Sequence, residues 1–422
     1  MRDSNKNLKI AVIGGGISGI MSAHLLQKEH DVTIFEASTY LGGHSHSVKI
    51  DNGIDQSFYL DTAFLIFNNL SYPNFIKFIK ELDVYNHVES SEMSFAFSDY
   101  DKDLFFGIGK GFSDIFYQKK NLYNPRFYKI FFELIKFRKN AYSDMVNNRL
   151  NNITLGEYLS DYSELFKENM IAPTAISVWS LPNENIWDFP AETYIRFQKN
   201  HNYLKGFGWI NSKWYTFNGA SIKYINAFLA KFKGKVNLNS PVKKVKRFDQ
   251  YVEVFTQDGI SQKFDKVIFA THADTTLKLI DDPSKLEISL LGKWKYNKSI
   301  AILHTDSSLI HHDKKLHASW NIKIKDKKST VTYYLNNIQN LKTKIDYFIT
   351  LDSNIDIKDD LVLDKYEYSH PIYDINSIKT QRELKNLNGY LNSYFCGSYF
   401  GYGFHEDAVL SAKKVALKFG IE

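Results

Sequence analysis

The 422 residues, 44% hydrophobic and 24% charged, exclude a disordered chain and suffice for two domains, each with its own core. A net charge of +6 is modest, no run of about 18 apolar residues reads as a membrane span, and the first ten residues are too polar for a signal peptide. A single cysteine, Cys396, leaves no internal disulfide, so a soluble protein of a reducing, cytoplasmic compartment is expected.

The first readable unit is LKIAVIGGGISGIMSAHLL. A short apolar strand, Leu8–Ile13, runs into Gly14-x-Gly16-x-x-Gly19 and then into a helix with apolar residues at Ile20, Ala23 and Leu26. Gly14 makes the turn, Gly16 lets a pyrophosphate approach the backbone, and Gly19 lets helix and strand pack closely. Ile17 and Ser18 lie at the helix start, whose N–H groups and positive end suit a phosphate. A second strand, DVTIFE, ends in Glu36, placed with Ala37 to meet a ribose.

Six residues beyond Glu36 comes the pair Gly42-Gly43, in ASTYLGGHSHS. A nicotinamide dehydrogenase has no need of it. An acid followed by Gly-Gly resembles the flavin amine oxidase and phytoene desaturase superfamily, where an arginine usually follows the pair. This chain has His44 there, which implies a titratable contact with phosphate or flavin. His44 or His46 faces the flavin, or either is a hydrogen-bonded structural residue; both readings stand.

Further along, residues 104–140 hold eight Lys and Arg against two acids, interleaved with eleven Phe and Tyr. Such a segment suits an anionic membrane surface, or else pairs core aromatics with a solvated helix face. Four stretches, LDTAFLIFNNLSYPNF, AISVWSLPNENIWDFPAETYIRFQKNH, LHTD and HPIYD…FCGSYFGYGFHEDA, narrow the resemblance to a bacterial group of NAD/FAD-binding, amine-oxidase-like proteins. Members of that group often accompany cyclopropane-fatty-acid-synthase-like methyltransferases, which implies a link to lipid metabolism and a methyltransferase partner.

The resemblance implies an α/β fold: a Rossmann-like FAD-binding domain with an interleaved α+β substrate domain. Its FAD-binding pieces are expected at 1–90, 205–285 and 385–422, with a helical part of the substrate domain at 91–204 and an antiparallel sheet at 286–384. It further implies that the Pro241-Val242 backbone lies near the adenine, that Val242 is a cofactor residue, and that Lys298 holds a catalytic water near the flavin N5. A lysine on an exposed sheet edge is the alternative for Lys298. In CGSYFGYGFHEDA a glycine-rich loop leads into a helix whose N-terminus is expected at the flavin pyrimidine ring. Gly397, Ser398, Phe404, His405, Glu406 and Asp407 are the candidate contacts there. The ribityl chain falls to Ser398, or to Glu406 or Asp407, and the two acids are alternatively simple helix-start residues. His405-Glu406-Asp407 side chains do not converge on one ion, so no metal centre is expected.

These features lead to a non-covalent FAD enzyme that oxidises, desaturates or isomerises a hydrophobic substrate such as a fatty acyl chain. A peroxide-producing amine oxidase and a non-catalytic flavin-binding partner of a lipid methyltransferase are the alternatives. Peripheral contact with the inner face of a membrane is compatible with each, and nothing indicates nucleic acid.

Overall fold

The computed structural model describes residues 7–109, 111–204, 212–351 and 357–422, with the side chain of Phe112 left aside. Lys110 of the basic, aromatic segment and the first residues of the expected 205–285 piece lie outside the described residues.

A five-stranded parallel sheet carries the strands in the order Lys235–Asn237, Asp31–Phe35, Lys9–Ile13, Lys266–Phe269 and Ser393–Phe395. The chain therefore leaves this sheet and returns to it, and strands far apart in sequence lie side by side. Four consecutive buried residues, Ile10 to Ile13, show that the central strand is covered on both faces, as parallel sheets require. One cover is the pair formed by helix Ile17–Leu26 and the C-terminal helix His405–Lys418. Both helices follow strands of this sheet, so their N-termini lie at its carboxyl edge, where open α/β sheets bind ligands.

The second large layer is a seven-stranded sheet, in the order Val362–Ile372, Lys295–His304, Phe348–Leu351, Lys328–Tyr334, Trp320–Lys325, Phe95–Asp99 and Leu104–Ile108. It is antiparallel except where Phe95–Asp99 runs parallel to Trp320–Lys325. The expected helical part of the substrate domain, 91–204, opens instead with two strands. Residues 95–108 form a hairpin because their buried aromatics, Phe97 and Phe106, stack at 4.8 Å across the pair and extend an existing sheet. The rest of that piece is mainly helical, with the long helix Pro125–Val146 packed near Ala191–Asn200. Among the described residues no helix is long and apolar enough to cross a membrane.

Candidate flavin site and substrate chamber

A cavity of about 400 Å³ opens at the carboxyl edge of the parallel sheet. Gly14, Gly16, Ile17, Ser18, Glu36, Gly42, Gly43 and His44 form one side, and Gly397, Ser398, Phe404 and His405 the other. Gly14 has φ +101°, and its N–H donates to Phe35 O at 2.9 Å, which ties the turn between two strands. A Cβ on Gly19 would drive into the carbonyl oxygen of Gly14, whereas one on Gly16 would meet nothing within 4 Å. The first glycine of the pair packs the loop and the second leaves its face open to the cavity. Helix Ile17–Leu26 has no side-chain cap and no acid in its first turn, so its first N–H groups are free for an anion.

Glu36 is fixed before any ligand arrives. Its carboxylate accepts from Gly15 N at 2.6 Å and Ser38 N at 2.8 Å, which aims it along the cavity wall. Gly42 N donates to Gly15 O at 2.8 Å, so the second glycine pair rests directly on the first loop. Gly19 lies behind the cavity and packs the helix. Ala37 is exposed and Val242 is half-buried on the strand Val242–Arg247; neither lines the cavity. For Ala37 the reason is local, since the side chain after Glu36 turns outward as the strand ends.

The two histidines left open by the sequence part ways. His46 stacks on Tyr40 and hydrogen-bonds through Nδ1 to Tyr368 Oη at 3.0 Å, a structural role outside the cavity. His44 lines the cavity, and its Nε2 has no partner. His370 lies 5.0 Å from it, ring to ring, with its own Nδ1 unpartnered, and His272 stands 6.4 Å away, stacked on Tyr296. Burial, reinforced by His370, holds the His44 imidazole far below its usual range. Burial likewise lowers His370 to about 4. The cluster is therefore neutral at physiological pH: each imidazole offers one donor and one acceptor, and no net charge. Sequence reasoning assigned no role to His272 and His370. The signal was present, since ATHAD and HPIYD were already singled out, but only the fold brings the two histidines together.

At the C-terminal helix, successive side chains diverge. His405 stacks on Phe64 at 3.6 Å and meets Ser45 Oγ at 2.7 Å, with burial lowering it to about 3. Glu406 turns away and accepts from Asn74 N and Phe75 N, each at 3.0 Å, capping helix Pro73–Glu81. Asp407 accepts from Phe404 N at 3.0 Å, capping its own helix, and burial pushes it up to about 7. Both acids border a separate small cleft of about 50 Å³ rather than the large cavity. Their expected ribityl role is thus corrected to helix capping, which leaves Ser398 on the cavity wall.

Lys298 also requires correction. It stands on strand Lys295–His304 opposite Ser369, but points to solvent, where Nζ pairs with Glu367 at 2.8 Å. The pleat alternates, so its neighbour Ser299 faces inward instead. Ser299 and Ala301 border a second chamber of about 190 Å³ that shares Ala63, Phe64, Tyr72, Val178 and His370 with the larger cavity. Trp320, Tyr333, Ile349 and Leu351 complete its roof beneath the seven-stranded sheet. Among the described residues no Asp, Glu, Lys or Arg lines this chamber.

An uncapped helix start under an open glycine, a fixed acid one strand away and a second glycine pair laid on the first loop define a dinucleotide-binding flavoprotein. Family comparison makes the class specific: residues 17–335 match flavin containing amine oxidoreductases, and the chain belongs to that family, whose cofactor is FAD. The fold is similar to that of a CLA-producing fatty acid isomerase from P. acnes, with 13% identity, 99% of each chain covered and a TM-score of 0.71. It is equally similar to putrescine oxidase, at 14% identity over 98% of each chain and TM-score 0.70, and to cyclohexylamine oxidase of Brevibacterium oxydans, at 11%, 98% of each chain and 0.69. A 44-residue stretch is 54% identical to tryptophan 2-monooxygenase of Allorhizobium ampelinum, spanning 10% of this chain and 6% of that protein.

Proposed function

We propose that the protein is an FAD-dependent oxidoreductase that oxidises, desaturates or isomerises an apolar substrate of the fatty-acyl class. The observation that carries this reading is the uncharged chamber of about 190 Å³ that joins the flavin cavity at Phe64, Tyr72 and His370. Bound FAD supplies two-electron chemistry at its N5. The chain's own residues do the rest. The glycine loops and the Ile17–Leu26 helix would hold its pyrophosphate, Glu36 the ribose and Ser398 the ribityl side. Phe64, Val178, Ala301 and Leu351 offer an apolar chain its apolar contacts in the chamber, and burial of each methylene against them stabilises by about 0.8 kcal/mol. His370, on the boundary between the two cavities, is the side chain best placed to accept or return a proton at carbon through its free Nδ1.

The likeness to putrescine and cyclohexylamine oxidases favours a second reading, amine oxidation with release of peroxide. A cationic amine would find no counter-charge among the described residues of the chamber, and its desolvation would go uncompensated there. Anaerobic titration followed by flavin absorbance separates the two. Unsaturated fatty acids should perturb or bleach the flavin, with shifted double bonds in the recovered lipid, and diamines should do neither. Bleaching by amines without response to any lipid would replace this proposal with the second reading.

A further inference from the structure

We propose that the outer face of helix Pro125–Val146 docks on an anionic membrane surface. This rests on the exterior of the protein and is independent of the substrate reading. The helix buries Phe127, Ile130, Phe137, Ala141 and Met145 against the protein, yet its opposite face is also apolar. Tyr128, Phe132, Ile135, Tyr142 and Val146 follow the three- and four-residue spacing of one helical stripe, and Phe132, Ile135 and Val146 are 68%, 61% and 60% exposed. Leu122 and Tyr123, in the turn just before the helix, extend the stripe, with Tyr123 at 89% exposure. Twenty-two residues give a helix about 33 Å long, enough to lie flat on a bilayer.

Charge selects the occupant. Lys129 flanks the stripe and Lys139 sits within it, between Ile135 and Tyr142; both, with Arg126 of the first turn, are exposed and have no ion-pair partner among the described residues. The helix's two acids are turned inward: Glu133 accepts from Ser163 N and Oγ, and Asp144 accepts from Tyr158 Oη and pairs with Arg149. The outer face thus combines apolar and cationic side chains with no acid, the pattern of a helix that sinks aromatic and aliphatic side chains among acyl chains while its long lysines reach anionic headgroups. A second copy of the chain fits less well. Two such faces related by a twofold axis would set lysine against lysine around the seam.

Flotation with two kinds of vesicle tests the proposal: phosphatidylcholine alone, and phosphatidylcholine with roughly one phosphatidylglycerol in three lipids. The flavin-loaded protein should float with the anionic vesicles, less with the neutral ones, and should be released as salt rises, because exposed charges are screened. Phe132→Ser with Ile135→Ser should weaken anionic binding by about tenfold or more. Lys129→Glu with Lys139→Glu should do the same, since each lysine contributes about fivefold. Neither pair touches the flavin cavity, so flavin content and melting temperature should match the parent protein. Absence of vesicle binding would overturn the proposal, as would binding that both variants retain. Light scattering that shows a dimer made monomeric by Phe132→Ser with Ile135→Ser would overturn it in favour of self-association.

Discussion

Acidification should unfold this protein before ordinary, solvent-exposed carboxylates protonate. Burial lowers His201, His304 and His370 to about 4 and His405 to about 3, and holds His44 lower than usual as well. Unfolded, each of the five returns to an ordinary value near 6.5. Between those limits the unfolded chain binds protons that the folded protein refuses, so stability is lost as pH falls through 6.5 toward 4. Two buried acids oppose this. Asp61, pushed up to about 6, and Asp407, at about 7, hold protons in the folded state that the unfolded chain has released. For these seven groups, five uptakes against two leave about three protons near pH 5, and at about 1.4 kcal/mol per proton they contribute a slope of about 4 kcal/mol per pH unit. Near pH 7 the terms almost cancel, so stability should plateau there. A typical reserve of about 5–15 kcal/mol would be spent within a few units. Urea unfolding at pH 7, 6 and 5 with constant FAD reads the slope directly. His201→Phe, which keeps the aromatic packing against Phe197 and Trp214, should remove one proton from it, about 1.4 kcal/mol per pH unit. A denaturation midpoint that is flat or rises between pH 7 and pH 5 would refute the account.

Gly16→Val should leave the apoprotein folded and abolish flavin retention, because its side chain projects only into the cavity, whereas Gly19→Val should fail to fold against the Gly14 carbonyl; circular dichroism and flavin content after gel filtration distinguish them. Lys298→Ala should change flavin reduction less than about twofold, since it removes an exposed pair worth at most about 1 kcal/mol; stopped-flow reduction would expose a larger role. FAD should dissociate on denaturation. The thiol of Cys396 is buried 3.5 Å from Ser22 Oγ, raised by burial to about 11 and absent from the cavity wall, so yellow colour on the precipitated protein would contradict this.

The legible parts of this molecule are those whose signal is local. The first strand, glycine turn and helix form one continuous run from Lys9 to Leu26, and each glycine's task follows from its neighbours. Glu36 and Gly42-Gly43 are close enough in sequence to share that logic. Phase was harder. Lys298 and Ser299 are adjacent in a strand, and only pairing with Val362–Ile372 decides which of them faces the chamber. Likewise His405 and Ala408 reach the cavity from the helix start while Glu406 and Asp407 rotate into caps, because each helical step turns a side chain by about 100°. The hairpin at 95–108 could not be read from its own residues, since its partner strand lies more than two hundred positions away. For the same reason His44, His272 and His370 became a cluster only in three dimensions.

That cluster, together with the chamber, sets what the site can favour. A flavin enzyme that accepts a cation needs negative potential near the reacting atom, and among the described residues the one charged side chain on either cavity wall is Glu36, held at the far side by two backbone amides. The imidazoles cannot compensate, because they are neutral and would repel a cation if protonated. Shape and dispersion then remain as the source of affinity, and these scale with chain length. In a homologous series of unsaturated fatty acids, each added methylene within the chamber should tighten binding about fourfold, from about 0.8 kcal/mol. The gain should cease once the chain extends past Trp320 and Tyr333. Flavin difference spectra across the series give the dissociation constants. Affinity independent of length would show that the chain lies outside the chamber, and the apolar-substrate reading would fall with it.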